Sequence, residues 1–138
     1  MLRFIGVVER VEDEISIVRI FDEFCEGLKG LNTFSHLIIL YWFHLREEEE
    51  ERRVLKVVPR RHPGAPEVGV FASRSPSRPN PIGLCVGELV KMEGNILLVR
   101  GLDAFEGSPV IDIKPYIPRA DAFPEAVVPE WALRGPKT

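Results

Sequence analysis

The chain has 138 residues, one domain's worth and long enough to bury a core. An apolar content of 45% excludes a disordered chain, and no apolar run is long enough for a bilayer-spanning helix. The N-terminus, Met1-Leu-Arg-Phe4, lacks a signal peptide's apolar stretch and cleavage site, so a cytoplasmic protein with no membrane partner is expected. A net charge of −3 argues against bulk electrostatic binding of nucleic acid but leaves room for a local basic face.

Residues 2–8 are apolar and β-branched and predict a strand, with a turn near Glu12-Asp13. Residues 14–20 alternate at first, with Ile15 and Ile17 on one face, so the two segments read as a hairpin. Gly27 and Gly30, interleaved with Leu28 and Leu31, predict a loop with a helical turn over 21–34. Residues 36–43, HLIILYWF, are nearly all apolar and too short for a buried helix, which predicts a strand buried on both faces. Arg46, the acidic run Glu47 to Glu51, and Arg52-Arg53 read as a solvated loop or short exposed helix, and 53–58 as a strand.

Residues 60–80 hold Pro63, Pro66, Pro76 and Pro79 together with Arg60, Arg61, Arg74 and Arg78, and only 68–71 there resembles a strand. Prolines lower the entropy lost on holding a fixed shape, a property functional loops use. Residues 84–91, a turn at Glu93-Gly94-Asn95 and 96–100 predict a second hairpin, followed by a short strand at 110–113. From Tyr116 the chain is broken by prolines and is expected to loop back onto the body. No repeat or linker is evident, so one domain is expected over 1–138. Many short strands with Gly/Pro turns predict a mainly all-β fold, a small barrel or sandwich with short helical turns and long Pro-rich loops. Cys25 and Cys85, far apart and outside any C-x-x-C pair, are expected as buried thiols.

Three constellations carry polar chemistry. The first, Phe71-Ala-Ser-Arg-Ser-Pro-Ser-Arg-Pro-Asn-Pro-Ile-Gly83, presents Arg74, Arg78 and Asn80 on a stiffened loop suited to carboxylates, phosphates or ring nitrogens. The plainer reading is a rigid surface loop with incidental arginines. The second runs from Gly101 to Tyr116 and contains Asp103 and Asp112. Asp112 lies among Val110, Ile111 and Ile113, so burial demands a partner such as Lys114, and a structural ion pair competes evenly with a functional role. The third is His36, His44 and His62, which match no zinc spacing, so no metal is expected. His36 suits a turn cap or a core hydrogen bond, and His44 sits at the exit of the buried strand.

These segments resemble the TsaA-like family, which includes the TrmO-type tRNA methyltransferases. The resemblance rests on Gly27-Leu-Lys-Gly-Leu31, Phe34-Ser-His-Leu37, Phe43-His44, the stretch from Gly69 through Leu84, Gly101-Leu-Asp103, and Gly107-Ser-Pro-Val-Ile-Asp-Ile-Lys-Pro-Tyr116. It implies a single-sheeted β-barrel working as a homodimer, with S-adenosylmethionine as methyl donor. The implied substrate is N6-threonylcarbamoyladenosine at position 37, beside the anticodon, methylated on the same N6. It explains why no glycine-rich Rossmann fingerprint appears.

Carried over by motif, the resemblance implies a donor site from His44, Leu45, Arg74, Leu84, Arg100, Gly101, Leu102 and Asp103. Arg74 suits the donor's carboxylate as a charge-assisted pair. Asp103, Asp112 and Tyr116 are the candidates to take the N6 proton, and Arg78, Asn80 and Lys114 the candidates to hold the substrate. Relatives carry a longer segment with a proline-arginine-glutamine string between the first two strands. Here Glu9 to Glu14 makes only a short turn, which implies a more open donor pocket. Arg52, Arg53, Lys56, Arg60, Arg61 and Arg119 form a phosphate-facing patch or, for the first two, merely balance the glutamates. A non-catalytic module binding the donor or a nucleotide is the alternative function. A hydrolase ranks last, because Ser73, Ser75 and Ser77 have no local histidine base.

Overall fold

The computed structural model describes residues 1–137; Thr138, the last residue of the span expected as one domain, lies outside them. The strands are β1 (Gly6–Glu12), β2 (Ile15–Ile20), β3 (His36–Trp42), β4 (Lys56–Val57), β5 (Val68–Gly69), β6 (Ile82–Glu93), β7 (Ile96–Arg100) and β8 (Pro109–Pro115). Two short helices, α1 (Glu49–Arg52) and α2 (Pro118–Asp121), and five 3-10 turns complete the described residues. The chain divides into two compact units: Met1–His44 with Ile82–Asp121, and Leu45–Pro81 with the segment from Ala122 onward.

In the first unit six strands form one antiparallel sheet in the order β1-β2-β7-β6-β3-β8. The last strand returns to the first through Gly6↔Val110 and Val7↔Pro109, so the ladder closes and leaves no open edge. Period-2 alternation then sorts side chains between interior and exterior. On β2 the interior face is Ser16, Val18 and Ile20, so Ile15 and Ile17 share a face as expected but it is the outer one. On β3 Leu37, Ile39 and Tyr41 point into the core, whereas Ile38, Leu40 and Trp42 are half-buried. The expectation of burial on both faces is corrected: β3 belongs to an antiparallel sheet with one packed face, and its outer face stays apolar. Leu97, Val99 and Val110 close the same core at 0% exposure, each such side chain contributing about 1.5–3 kcal/mol.

A bulge between β3 and β8 settles the orientation of Asp112. Leu40 pairs with Asp112 but Tyr41 pairs with Val110, which leaves Ile111 as the extra residue. The extra residue flips the alternation, so Val110 and Ile113 both face the core while Asp112 and Lys114 face outward.

In the second unit little regular structure forms. The strand expected over 53–58 shrinks to β4, because only Lys56↔Gly69 and Val57↔Val68 pair before Pro59 ends the ladder. The acidic run forms the exposed α1. Side chains hold the proline loop: Ser77 donates to the Glu51 carboxylate, Arg46 Nη1 reaches Ser77 Oγ at 2.9 Å, and Arg52 Nε donates to Pro79 O at 2.7 Å. Past residue 121 the chain carries a 3-10 turn, Glu130–Leu133, whose neighbour Arg134 accepts at its carbonyl a hydrogen bond from His62 Nδ1 at 2.6 Å. No helix among the described residues is long and apolar enough to cross a membrane.

Candidate functional site

The segment joining β7 to β8 is pinned at successive points in the first unit. Arg100 Nη1 pairs with Glu88 at 2.9 Å. Gly101 adopts φ +84°, which favours glycine; its N–H donates to Glu14 O at 3.1 Å, and its carbonyl accepts from Cys85 Sγ at 3.2 Å. Leu102 is buried, yet its main-chain N–H and C=O make no hydrogen bond among the described residues. The Asp103 carbonyl accepts from the Tyr41 hydroxyl at 2.6 Å. Gly107 N–H donates to Val8 O at 2.8 Å, and Glu106 Oε1 accepts from Val11 N–H at 2.9 Å.

His44 joins this segment at its far end. A Cβ on Gly107 would lie 3.4 Å from His44 Nε2, so the imidazole rests against the Gly107 backbone. On the other side of the strand, a Cβ on Gly83 would fall 2.7 Å from both Phe43 Cζ and Tyr41 Cζ, so only glycine admits the edge-to-face Tyr41–Phe43 pair beneath it. The structure thus places His44 against Gly107 at one end of the β7–β8 segment and Tyr41 on Asp103 next to the Arg100–Leu102 stretch.

The other predicted residues are placed apart or differently engaged. Leu84 lies on the exposed face of β6, opposite Leu40. Asp112 Oδ2 pairs with Lys114 Nζ at 2.9 Å and Oδ1 accepts its neighbour's Ile113 N–H at 2.9 Å, both side chains well exposed. That engages two expected functional groups with one another, a pair worth about 0–1 kcal/mol. Tyr116 packs edge-on against His36, whose Nδ1 meets Ser35 Oγ at 2.7 Å. In the second unit Arg78 Nη1 donates to Ser73 O at 3.0 Å and Ser75 O at 3.1 Å, holding its own loop, and Asn80 Oδ1 accepts from Arg52 Nη2 at 3.3 Å. Leu45 and Arg74 are exposed, and Arg74 makes no hydrogen bond or ion pair among the described residues. Cys25 and Cys85 are free thiols, half-buried rather than buried as expected. A shallow concavity of about 610 Å³ is lined by Cys25, Glu26, Leu28, Lys29, Met92 and Gly94, none of them an expected site residue.

Sequence reasoning missed Tyr41, Cys85 and Glu88, which fix the segment but read as ordinary strand residues. Gly83 inside β6 was the available signal, since glycine in a strand interior marks close approach of another group.

A closed antiparallel sheet of six strands with a pinned, glycine-containing crossover beside one strand exit defines the class structurally. The family model described as the tRNA-methyltransferase O N-terminal domain matches residues 7–122, and the chain belongs to that family. It is similar to an S-adenosyl-L-methionine-binding protein of Archaeoglobus fulgidus, 51% identical over 113 residues that cover 81% of this chain and 76% of the relative. It is also similar to the tRNA (adenine(37)-N6)-methyltransferase of Escherichia coli, 38% identical over 125 residues, 88% of this chain and 52% of that enzyme. The crystal structure of TrmO from Pseudomonas aeruginosa superposes with a TM-score of 0.71 at 29% identity, over 92% of this chain and 60% of that one. The chain therefore spans about half of the Escherichia coli enzyme and three-fifths of the Pseudomonas structure.

Proposed function

We propose that this chain is a methyltransferase that uses S-adenosylmethionine to methylate N6 of N6-threonylcarbamoyladenosine at position 37 of tRNA. The observation that carries the reading is the family match over residues 7–122, joined to similarity with a relative named for methylation of adenine 37. We read the closed sheet as the family's β-barrel, one domain with the proline loop, acting as a cytoplasmic homodimer.

The Arg100–Asp103 stretch with His44 suits an adenosyl group. The unpaired N–H and C=O of Leu102 offer one donor and one acceptor to a base edge, set in a backbone already fixed by its neighbours. Leu84 adds apolar surface beside it; Leu45 and the Arg74 guanidinium, which suits a carboxylate, are donor contacts that the family resemblance alone implies. When bound, S-adenosylmethionine supplies a methyl group on a sulfonium sulfur. The chain's own work is then to align the accepting nitrogen and receive its proton. N6 of a carbamoylated adenosine is a weak nucleophile, because its lone pair is delocalised. The expected acceptors are Asp103, Asp112 and Tyr116. Asp103 is exposed on a backbone clamped by Tyr41, and we assign the proton to it. Lys114, Arg78 and Asn80 remain proposed partners of the substrate's threonyl carboxylate.

A second reading is a donor-binding module without catalysis. It is favoured by the relatives at 51% identity, which are named only for binding S-adenosylmethionine. Mass spectrometry of tRNA nucleosides separates the two. An enzyme adds one methyl mass to N6-threonylcarbamoyladenosine when the donor is present. A binding module titrates with the donor and leaves every nucleoside unchanged.

A further inference from the structure

Phe71 is 79% exposed, yet the backbone on both sides of it is held by hydrogen bonds. Val70 before it is 1% exposed and donates its N–H to Leu55 O at 2.9 Å. Ser73 after it donates both its N–H, at 3.2 Å, and its hydroxyl, at 3.0 Å, to Val70 O. Ser73 Oγ in turn accepts from Ser75 N–H at 3.3 Å, and Arg78 ties the Ser73 and Ser75 carbonyls together. A benzyl ring is thus presented to water on a 3-10 turn, Val70–Ala72, that has little freedom to withdraw it. Burying such a ring is worth about 1.5–3 kcal/mol, and this fold forgoes that gain.

The surroundings are cationic. Between Arg52 and Pro81 the sequence holds seven Lys/Arg and one acidic residue, Glu67, in a chain whose net charge is −3. Lys56 pairs in register with Gly69, two residues before the ring, and Arg74 follows three residues after it. Neither the Lys56 nor the Arg74 side chain makes a hydrogen bond or ion pair among the described residues. The exposed Leu55 side chain sits beside the same turn. A fixed aromatic face with free cations around it is the chemistry that receives an unpaired nucleobase, the ring taking the π-face and the cations the phosphates.

Resting on the tRNA reading above, we propose that Phe71 is a stacking platform for an unpaired base of the substrate RNA, flanked by Lys56 on its phosphate. An apolar peptide would leave the Lys56 charge unmatched, and a second copy of the chain would bring its own positive segment against this one.

The test is binding of the full chain to a labelled tRNA anticodon stem-loop, beside titration with S-adenosylmethionine and sedimentation. Phe71→Ala and Phe71→Leu are expected to weaken RNA binding about tenfold, and Phe71→Trp to restore it, with donor affinity and oligomeric state unchanged. On a stem-loop whose loop bases are abasic, the wild type and Phe71→Ala are expected to bind alike. The proposal is overturned if Phe71→Ala binds the intact loop as the wild type does, or if it changes the oligomeric state, which would assign the ring to an interface between copies. If the wild type itself does not bind the stem-loop, the tRNA reading falls and this proposal with it.

Discussion

Tyr41 and Asp103 lie 62 residues apart in sequence, and the Tyr41 hydroxyl donates to the Asp103 carbonyl at 2.6 Å. Tyr41 is 5% exposed, so its hydroxyl reaches out of the packed core to hold the segment that bears the proposed acceptor. Tyr41→Phe keeps the ring and removes the hydroxyl that makes this bond. The expected cost is about 0.5–1.5 kcal/mol in stability, as for a typical hydrogen bond. Methyl transfer is expected to fall more than donor affinity, because the bond positions Asp103 rather than the donor. Thermal unfolding with single-turnover kinetics checks this; an unchanged rate would show that the clamp is structural only.

Gly83 tests the packing on the inner side of the same strand pair. The methyl of Gly83→Ala would fall 2.7 Å from ring carbons of Tyr41 and Phe43, both in the first unit's core. A loss of about 1–3 kcal/mol is expected from such overpacking, read by urea denaturation. A variant as stable as the wild type would mean that the rings move aside at no cost.

Which of these features the sequence discloses depends on how local their causes are. The hairpins β1–β2 and β6–β7 are legible because apolar alternation and the turn residues Asp13 and Gly94 sit within a few positions of one another. The family is legible because the strings around Arg74 and Lys114 are long and specific. The bulge at Ile111 is not, since nothing around Val110–Ile113 marks an extra residue, and it turns Asp112 from an apparent core carboxylate into a surface ion pair. Arg78 reads as a ligand group, but its loop uses it to satisfy the Ser73 and Ser75 carbonyls, a demand visible only once the loop has a shape. The Tyr41 clamp depends on a crossover returning over the sheet, which strand periodicity does not encode.

Glu51 gives the second unit a pH dependence. The Ser77 hydroxyl bonded to its carboxylate holds its pKa below the ordinary carboxylate value; desolvation opposes this, and Arg46 adds to the lowering. A lowered folded-state pKa means stability that is present above the unfolded value and lost as pH falls through the folded one. Glu51→Gln is therefore expected to melt below the wild type at neutral pH, with the difference closing under acid conditions. Scanning calorimetry of both proteins across pH checks this, and a gap that widens on acidification would reverse the assignment.

Ser16 is the exception in the core. Its side chain is 1% exposed among apolar neighbours, and its hydroxyl has no partner among the described residues. An unpaired buried hydroxyl is costly, so Ser16→Ala is expected to leave stability unchanged or raise it by about 1 kcal/mol. Chemical denaturation showing a loss of that size would point to an ordered water bound at Ser16.

The most direct test of the whole account is transfer of labelled methyl from S-adenosylmethionine to tRNA that carries, or lacks, the N6-threonylcarbamoyl group. The account predicts label only in the modified tRNA, with the single-turnover rate reduced about a hundredfold or more by Asp103→Asn. A chain that binds the donor and passes label to neither tRNA would contradict it.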